Sequence, residues 1–426
     1  MKRLLLLLAL CLIPLAIPAT GMTPPQDTTF RTLYGKLTDS HTGQPVPYAS
    51  VTLEGSSLSN VTNSEGFFSL KVPADTPEDG NLLFHHLGYL NATRPVSAFQ
   101  AGTADKPLSI ILAPMSIQLD PSIIRDIDPM VLLQTAYRHV RDNYPQQHEH
   151  LIAFYREMIR KGNIKYLALN EAVVDVDKAP YSGFTNDKAA IYKGRGSKNF
   201  SPSDTLFVHF QGGIIGTLSG DVVKDPFVGC RMDDISKCYD LDVEGSATLD
   251  GRECLIIRFR EKPDKEESIL FDGRLFIDSE TYAIARVEYA MNVKGREEKA
   301  AAHFVVRKPA DFRIAVNQAQ YSLNFKEIGG RWHFDYSRME LIFTARRKKS
   351  LFRHSYTVLS EMAVTDIRPE EFKITREDRV RFNDILSNQV SDFSDPDFWG
   401  SYNIIEPDQT IESAVRRIIR QIKARE

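Results

Sequence analysis

A chain of 426 residues has room for two or three domains of ordinary size, each with its own core. Hydrophobic residues make up 42% and charged residues 26%, the balance of an ordinary globular protein. A formal net charge of -3 supplies no strongly basic face, so nucleic acid is not expected as a partner.

The first residues differ from the rest. Lys2 and Arg3 precede an apolar run over 4–17, and Ala19, Thr20 and Gly21 follow as small residues. A positive flank, a short apolar core and a small-residue exit describe a secretory signal peptide over 1–21, so the chain is expected to be exported. Pro14 and Pro18 interrupt the run, which is shorter than the roughly 20 residues needed to cross a bilayer. No later stretch is long and apolar enough to span as a helix, and none is expected in the mature chain. Leu10 stands before Cys11 where a lipoprotein signal has a small residue, so Cys11 reads as an ordinary residue of the leader.

From residue 30 to 114 short strands alternate with turn residues. Leu33, Gly35 and Leu37 alternate with polar neighbours, and Ala49, Val51 and Leu53 do the same after the turn at Asp39, Ser40, Thr42 and Gly43. Phe68, Leu70 and Val72 follow the turn residues Asn63, Ser64 and Gly66, and further strands fit 82–86 and 108–112. Regular short strands punctuated by Gly and Pro predict a small β-sandwich.

Four segments carry a resemblance. Gly35-Lys36-Leu37-Thr38-Asp39, Thr42-Gly43-Gln44-Pro45-Val46-Pro47-Tyr48-Ala49-Ser50-Val51, Asn63-Ser64-Glu65-Gly66-Phe67-Phe68 and Leu87-Gly88-Tyr89 resemble, in that order, the carboxypeptidase regulatory-like domain. The resemblance covers about a fifth of the chain. It implies a transthyretin-like seven-stranded sandwich of the kind found at the front of envelope proteins in gram-negative bacteria, an accessory without protease chemistry. A metallocarboxypeptidase needs an HxxE pair, and none of the ten histidines has Glu three residues later. A following 22-stranded transporter barrel is excluded by length.

Residues 115–150 read as a helical linker. Asp128 and Pro129 supply an N-cap and a first helical position, Leu133, Ala136, Tyr137, Val140 and Tyr144 recur at helical spacing, and Pro145 ends the run. Over 151–365 strand signals dominate and predict an antiparallel β domain. One hairpin runs from Leu275 and Ile277 through Asp278-Ser279-Glu280-Thr281 to Ala283, Ala285, Val287, Tyr289 and Met291. A second joins Tyr321, Leu323 and Phe325 to Trp332, Phe334 and Tyr336 through Gly329-Gly330, and a third turns at Arg346-Arg347-Lys348-Lys349 toward a strand near Leu351. Long strands with one apolar face predict a curved sheet or half-barrel. Gly273-Arg274-Leu275-Phe276-Ile277-Asp278-Ser279-Glu280-Thr281-Tyr282-Ala283-Ile284 is similar to strand-turn-strand elements of periplasmic lipoprotein carriers, which hold acyl chains inside a half-barrel. That resemblance makes Tyr289, Phe325, Trp332, Phe334 and Tyr336 candidates to face an apolar ligand; packing on a helix is the plainer explanation.

In an oxidising compartment Cys230 and Cys238 are close enough to pair, leaving Cys254 in a strand; three unpaired thiols fit the sequence as well. The tail, 366–426, ends in an amphipathic helix with Ile411, Ala414, Val415, Ile418, Ile419 and Ile422 on one stripe. Asp397-Phe398-Trp399-Gly400-Ser401-Tyr402-Asn403-Ile404-Ile405-Glu406-Pro407 before it resembles the tail of other bacterial envelope proteins with the same sandwich, and no activity follows from that.

No Walker loop, GxSxG elbow or HExxH helix is present. His148-Glu149-His150 has the wrong spacing for a metal helix and follows Pro145, in what reads as a loop. No catalytic residue, metal ligand or cofactor is therefore assigned. The sequence predicts a mainly β, exported, non-catalytic binding or assembly protein of the periplasm or outer membrane, with the sandwich as docking module and the β domain as the surface for an apolar ligand or a partner. Its partner is an envelope protein, a lipid or a glycan; an envelope hydrolase with a polar cleft and a purely structural protein are the alternatives.

Overall fold

The computed structural model describes residues 30–115, 127–162, 165–183, 185–198, 209–210, 213–224, 230–249, 251–263, 269–350, 352–369, 372–391, 393, 395 and 398–423. The leader read in residues 1–21, with Cys11, lies outside them.

Seven strands form two packed sheets: β1 (Phe30–Asp39), β2 (Ser50–Leu53), β3 (Ser59–Val61), β4 (Phe67–Pro73), β5 (Asn81–His85), β6 (Ala92–Pro95) and β7 (Leu108–Leu112). One sheet has the order β4-β1-β7 and the other β3-β2-β5-β6. The period-two residues meet between them: Leu33, Leu37, Val51, Phe68, Leu70, Val72, Phe84 and Ile110 are buried in one cluster. Each such side chain contributes about 1.5–3 kcal/mol by burial. Gly66, at φ 73°, must be glycine, because a Cβ there would lie 2.4 Å from the Leu37 carbonyl oxygen.

Helix α1 (Pro129–Arg138) starts as its sequence predicts, the Asp128 side chain accepting from the backbone N–H groups of Met130 and Val131. It ends earlier than expected: the chain breaks at His139, makes one more turn over Val140–Asn143, and Tyr144 is extended, as a residue before proline must be.

A curved, open, antiparallel sheet of ten strands follows. Three strands, β8 (Glu149–Lys161), β9 (Lys165–Lys178) and β10 (Lys188–Lys198), lead toward one edge. Two residues at β11 (His209–Phe210) and helix α2 (Gly213–Ser219) belong to a crossover to the opposite edge, where β12 (Tyr239–Leu249) starts a meander back. It runs through β13 (Arg252–Glu261), β14 (Phe271–Asp278), β15 (Ile284–Met291), β17 (Phe312–Ile328), β18 (Arg331–Arg347) and β19 (His354–Arg368), with short β16 (Val305–Arg307) pairing β11 outside the sheet. The pairing of β19 with β8 closes the two halves onto each other. The hairpin at Gly329-Gly330 forms as predicted, with both glycines at positive φ. The strand after the basic turn begins at His354 rather than near Leu351.

The chain itself packs on both faces of this sheet. On one face α2 and the residues after it pack down: Ser337 donates to the Thr217 carbonyl (3.1 Å), and buried Lys178 reaches Asp221 (2.7 Å) and Asp187 (2.8 Å). On the other, the sandwich and the tail 398–408 lie across β8, β9 and β19. Asn403 closes the open edge of β4, accepting from the Lys71 N–H and donating to its carbonyl. Helix α3 (Gln409–Lys423), capped by Asp408, buries Ile411, Ala414 and Ile418 against Met158, Leu169 and Leu359.

At the centre of the tail face Arg156, 1% exposed, gives two hydrogen bonds to Glu171 (2.8 and 2.9 Å), one to Glu361 (3.2 Å) and one to the Ile405 carbonyl (2.6 Å). Burial works to raise the Glu171 carboxyl; the charges of Arg156 and Arg195 outweigh it and hold the group below its ordinary range. Arg156→Ala, which leaves two buried carboxylates without their shared cation, is expected to cost about 3–5 kcal/mol in urea unfolding. Because Glu171 has a lowered folded pKa, its stabilisation is present at neutral pH and lost as pH falls below the ordinary value of 4.5. The urea midpoint should therefore drop between pH 7 and pH 3.5, and drop less in Glu171→Gln.

Candidate functional site

The five aromatic residues read as ligand-facing are all buried. Tyr289, Phe325, Trp332 and Phe334 belong to the cluster beneath α1 and the crossover; Tyr289 donates to the Gly220 carbonyl (3.3 Å), and Phe325 packs edge-on against Tyr144 at 5.6 Å. Tyr336 does not share their face. An extra residue, Asp335, bulges out of β18 opposite the Asn324–Phe325 step, and the alternation inverts. Tyr336 consequently stacks on Tyr48 of the sandwich, 6.1 Å between rings, and donates to Glu361. Cys230 and Cys238 form a disulfide with 6.7 Å between Cα atoms, and Cys254 is buried in β13.

A cavity of about 1320 Å³ opens where the sandwich meets one end of the sheet. Its walls come from the Ser57 loop, the segment 145–150, the start of β18, the end of β19 and the segment 372–374. Here His148-Glu149-His150 enters β8, so the two imidazoles project to the same side. On the neighbouring strand Asp175 and Asp177 project to that side too, and the pairs form diagonally: His148 to Asp177, and His150 Nε2 to Asp175 at 2.7 Å. Asp177 also takes Lys188 at 3.0 Å. From β18, His333 Nδ1 bonds Glu149 at 2.7 Å. The His150 ring, its side chain 6% exposed, lies flat against Phe372 at 4.1 Å and 7°.

Three atoms of this group are buried without a hydrogen-bond partner: Glu149 Oε2, His150 Nδ1 and Asp175 Oδ2. A buried polar atom without a partner costs about 1–3 kcal/mol. Around them Arg331, Arg368 and Lys373 line the cleft. Arg331 is held by the Tyr144 carbonyl (2.8 Å), a neutral partner, and Arg368 stands 3.8 Å from Asp366. Ser57, whose hydroxyl goes to Asp366 (2.6 Å), is the one hydroxyl side chain among the described lining residues, so no serine–histidine pair forms there. No group of three metal-ligating side chains occurs among the described residues.

Sequence reasoning set the His148-Glu149-His150 triplet aside. The one available signal was the matching alternation His-x-His and Asp175-x-Asp177 on consecutive strands, legible only once the strands are known to pair.

Residues 33–124 match the family model of the CarboxypepD_reg-like domain. No curated protein matches the chain. Among solved structures, a DUF1329 family protein from Desulfovibrio piger is 16% identical, covering 56% of this chain and 94% of its own, with a TM-score of 0.24. An outer membrane lipoprotein-sorting protein domain from Vibrio parahaemolyticus is 10% identical, covering 59% and 95%, with a TM-score of 0.25. A LolA superfamily protein from Nitrosomonas europaea is 11% identical, covering 58% and 96%, at 0.24. Likenesses this slight bear on neither fold nor function.

His150→Leu is expected to lower stability by about 1–3 kcal/mol, because Asp175, 4% exposed, loses its hydrogen-bond partner. Urea unfolding checks this, and the double variant His150→Leu/Asp175→Leu should recover much of the loss.

Proposed function

We propose that this chain is an exported, non-catalytic binding protein of the cell envelope, and that its ligand is polar and sits in the cleft between the sandwich and the end of the ten-stranded sheet. The observation that carries this reading is a cavity of about 1320 Å³ whose lining brings together Lys188, Arg331, Arg368 and Lys373 with His148, Glu149, His150, Asp177 and His333. Charged and hydrogen-bonding side chains of both signs in one cleft suit a polar ligand.

An acyl-chain carrier is supported less well. The apolar side of the sheet is occupied by α1 and the crossover, so a lipid there must displace Leu218 and Val222 from the same cluster as Phe325 and Trp332. The hydrolase alternative foresaw a polar cleft with histidines and carboxylates. Here those histidines are paired to carboxylates, and the lining serine, Ser57, is bonded to Asp366 rather than to a histidine. In this reading the sandwich serves first as one wall of the site.

Native mass spectrometry of the chain purified from periplasm without detergent tests the proposal. The expected spectrum shows a polar adduct that leaves, chemically intact, on denaturation. Recovery of a cleaved product would overturn the non-catalytic reading, and a co-purifying phospholipid would overturn the polar one.

A further inference from the structure

Independently of what fills the cleft, we propose that the opposite end of the sheet, tipped by the β18–β19 turn, docks on an anionic phospholipid membrane surface. That turn holds Arg346, Arg347, Lys348, Lys349 and Arg353. Arg347 alone among them has an acidic partner in the described residues, Asp311 at 3.8 Å. Phe352 stands in the same turn 77% exposed, more than any other large hydrophobic side chain described. The turn is nevertheless fixed: Lys348 N–H donates to the Asp311 carbonyl (2.7 Å), Ser350 N–H to the Arg347 carbonyl (2.9 Å), and Phe352 N–H to the Ser350 hydroxyl (3.1 Å). A set of like charges held in place around an exposed aromatic ring suits a surface that supplies both anions and an apolar boundary.

The neighbouring chain ends add to the charge. Gly162 N–H donates to the Ser355 carbonyl (2.9 Å), which brings the β8–β9 turn with Lys161 and Lys165 alongside. On the other side Arg313 of β17 stands opposite Arg346, and exposed Lys308 precedes it. Across 158–166, 305–316 and 341–360 Asp311 is the only carboxylate. The elements packed nearby do not reverse the sign. Glu157, four positions inward on β8, takes Asn170 (2.9 Å). The helical turn Glu297–Ala300, clustered with Ile314 and Val316, has Lys294 and Lys299 beside Glu297 and Glu298. Helix α3, packed on Met158 and Leu359, pairs Glu412 with Arg416 (3.2 Å) and adds exposed Arg417 and Arg420. In a chain of net charge -3, a cationic end implies an acidic remainder, and so an orientation in the field of an anionic surface. The cations of the turn lie past the last pairing of its strands, Ala345 with His354, so they meet a plane more readily than they enclose a ligand. β18 begins with Arg331 in the cleft wall and ends with Arg347 in this turn, about 50 Å later along the strand. Docking by this end therefore holds the cleft away from the membrane and open.

Cosedimentation of the full chain with vesicles of phosphatidylcholine, with or without about one third phosphatidylglycerol, tests the proposal. The chain is expected to bind the anionic vesicles at least tenfold more tightly than the neutral ones, and to leave them in about 1 M salt, where the screening length is about 3 Å. Each cation near the surface contributes roughly a fivefold gain in binding. The triple variant Arg347→Gln/Lys348→Gln/Lys349→Gln should therefore weaken binding by about thirtyfold or more. Arg376→Gln/Arg379→Gln/Arg381→Gln removes as many exposed charges from the far end of the sheet, where Arg379 bridges to Ala190, and should change binding less than threefold. Phe352→Trp supplies a reporter in a chain whose two tryptophans, Trp332 and Trp399, are buried, and its emission should shift to the blue on adding anionic vesicles. Circular dichroism on each variant separates lost binding from lost fold. Equal binding to neutral vesicles, or an equal loss in the two triple variants, would overturn the proposal. An unshifted Phe352→Trp emission with charge-dependent binding intact would overturn the membrane as partner and point to a soluble polyanion.

Discussion

A guanidinium buried in a sheet face is tolerable only when its donors are met, and Arg156 is met from three parts of the chain at once. Glu171 comes from the next strand, Glu361 from the strand on the other side, and the Ile405 carbonyl from a tail segment 249 positions away. Desolvation of such a group costs several kcal/mol, so the sheet cannot present Arg156 at that depth unless the tail is in place. The same tail supplies Asn403, which pairs with Lys71 as a missing strand would, and Ile404, whose carbonyl accepts from Asn60 at 2.7 Å. One buried charge thus ties the sandwich, the sheet and the C-terminal segment into a single arrangement. Helix α3 follows directly from that strap, and its apolar stripe covers the sheet beyond it.

The opposite face obeys the same rule with different residues. Lys178, 1% exposed, is held between Asp187 and Asp221, and Tyr181 donates to Asp221 as well. Burial acts to lower the Lys178 pKa, the two carboxylates override it, and the net shift is upward, so the ammonium stays charged. Asp221 lies at the end of α2, which makes the crossover a fixed part of the core. A half-barrel whose hollow is already filled by its own crossover keeps a concavity at the strand ends, where backbone pairing stops and the loops splay. That is where the cleft lies.

The sequence shows these features unevenly, for reasons that particular residues make plain. The sandwich strands, the cap at Asp128 and the hairpin at Gly329-Gly330 depend on neighbours a few positions apart, and local pattern suffices to read them. Facing is harder. Trp332, Phe334 and Tyr336 alternate as if on one side, but the extra residue Asp335 inverts the pleat, and nothing in the spacing announces a bulge. The cleft was the least legible. Glu149 and His333 are 184 positions apart, and His150 and Asp175 are 25 apart, so their meeting depends on strand order rather than on motif. Pro145 also made the triplet before β8 look like loop, when it is the entry to a strand.

The bulge at Asp335 links the two regions. By leaving the pleat, Asp335 places a carboxyl, raised by burial in spite of the nearby ammonium, 3.5 Å from Lys326. Lys326 in turn donates to the Ser59 hydroxyl at 2.6 Å, fixing the loop of the sandwich that contains Ser57. Ser57 forms part of the cleft wall, and its hydroxyl is held by Asp366 two residues before Arg368. The irregularity that hid Tyr336 from a period-two reading is thus the device that seats the sandwich against the sheet. A ligand touching both walls binds only this seated arrangement, and so stabilises it in proportion to its own occupancy. Docking of the sandwich and filling of the cleft are in that sense one equilibrium.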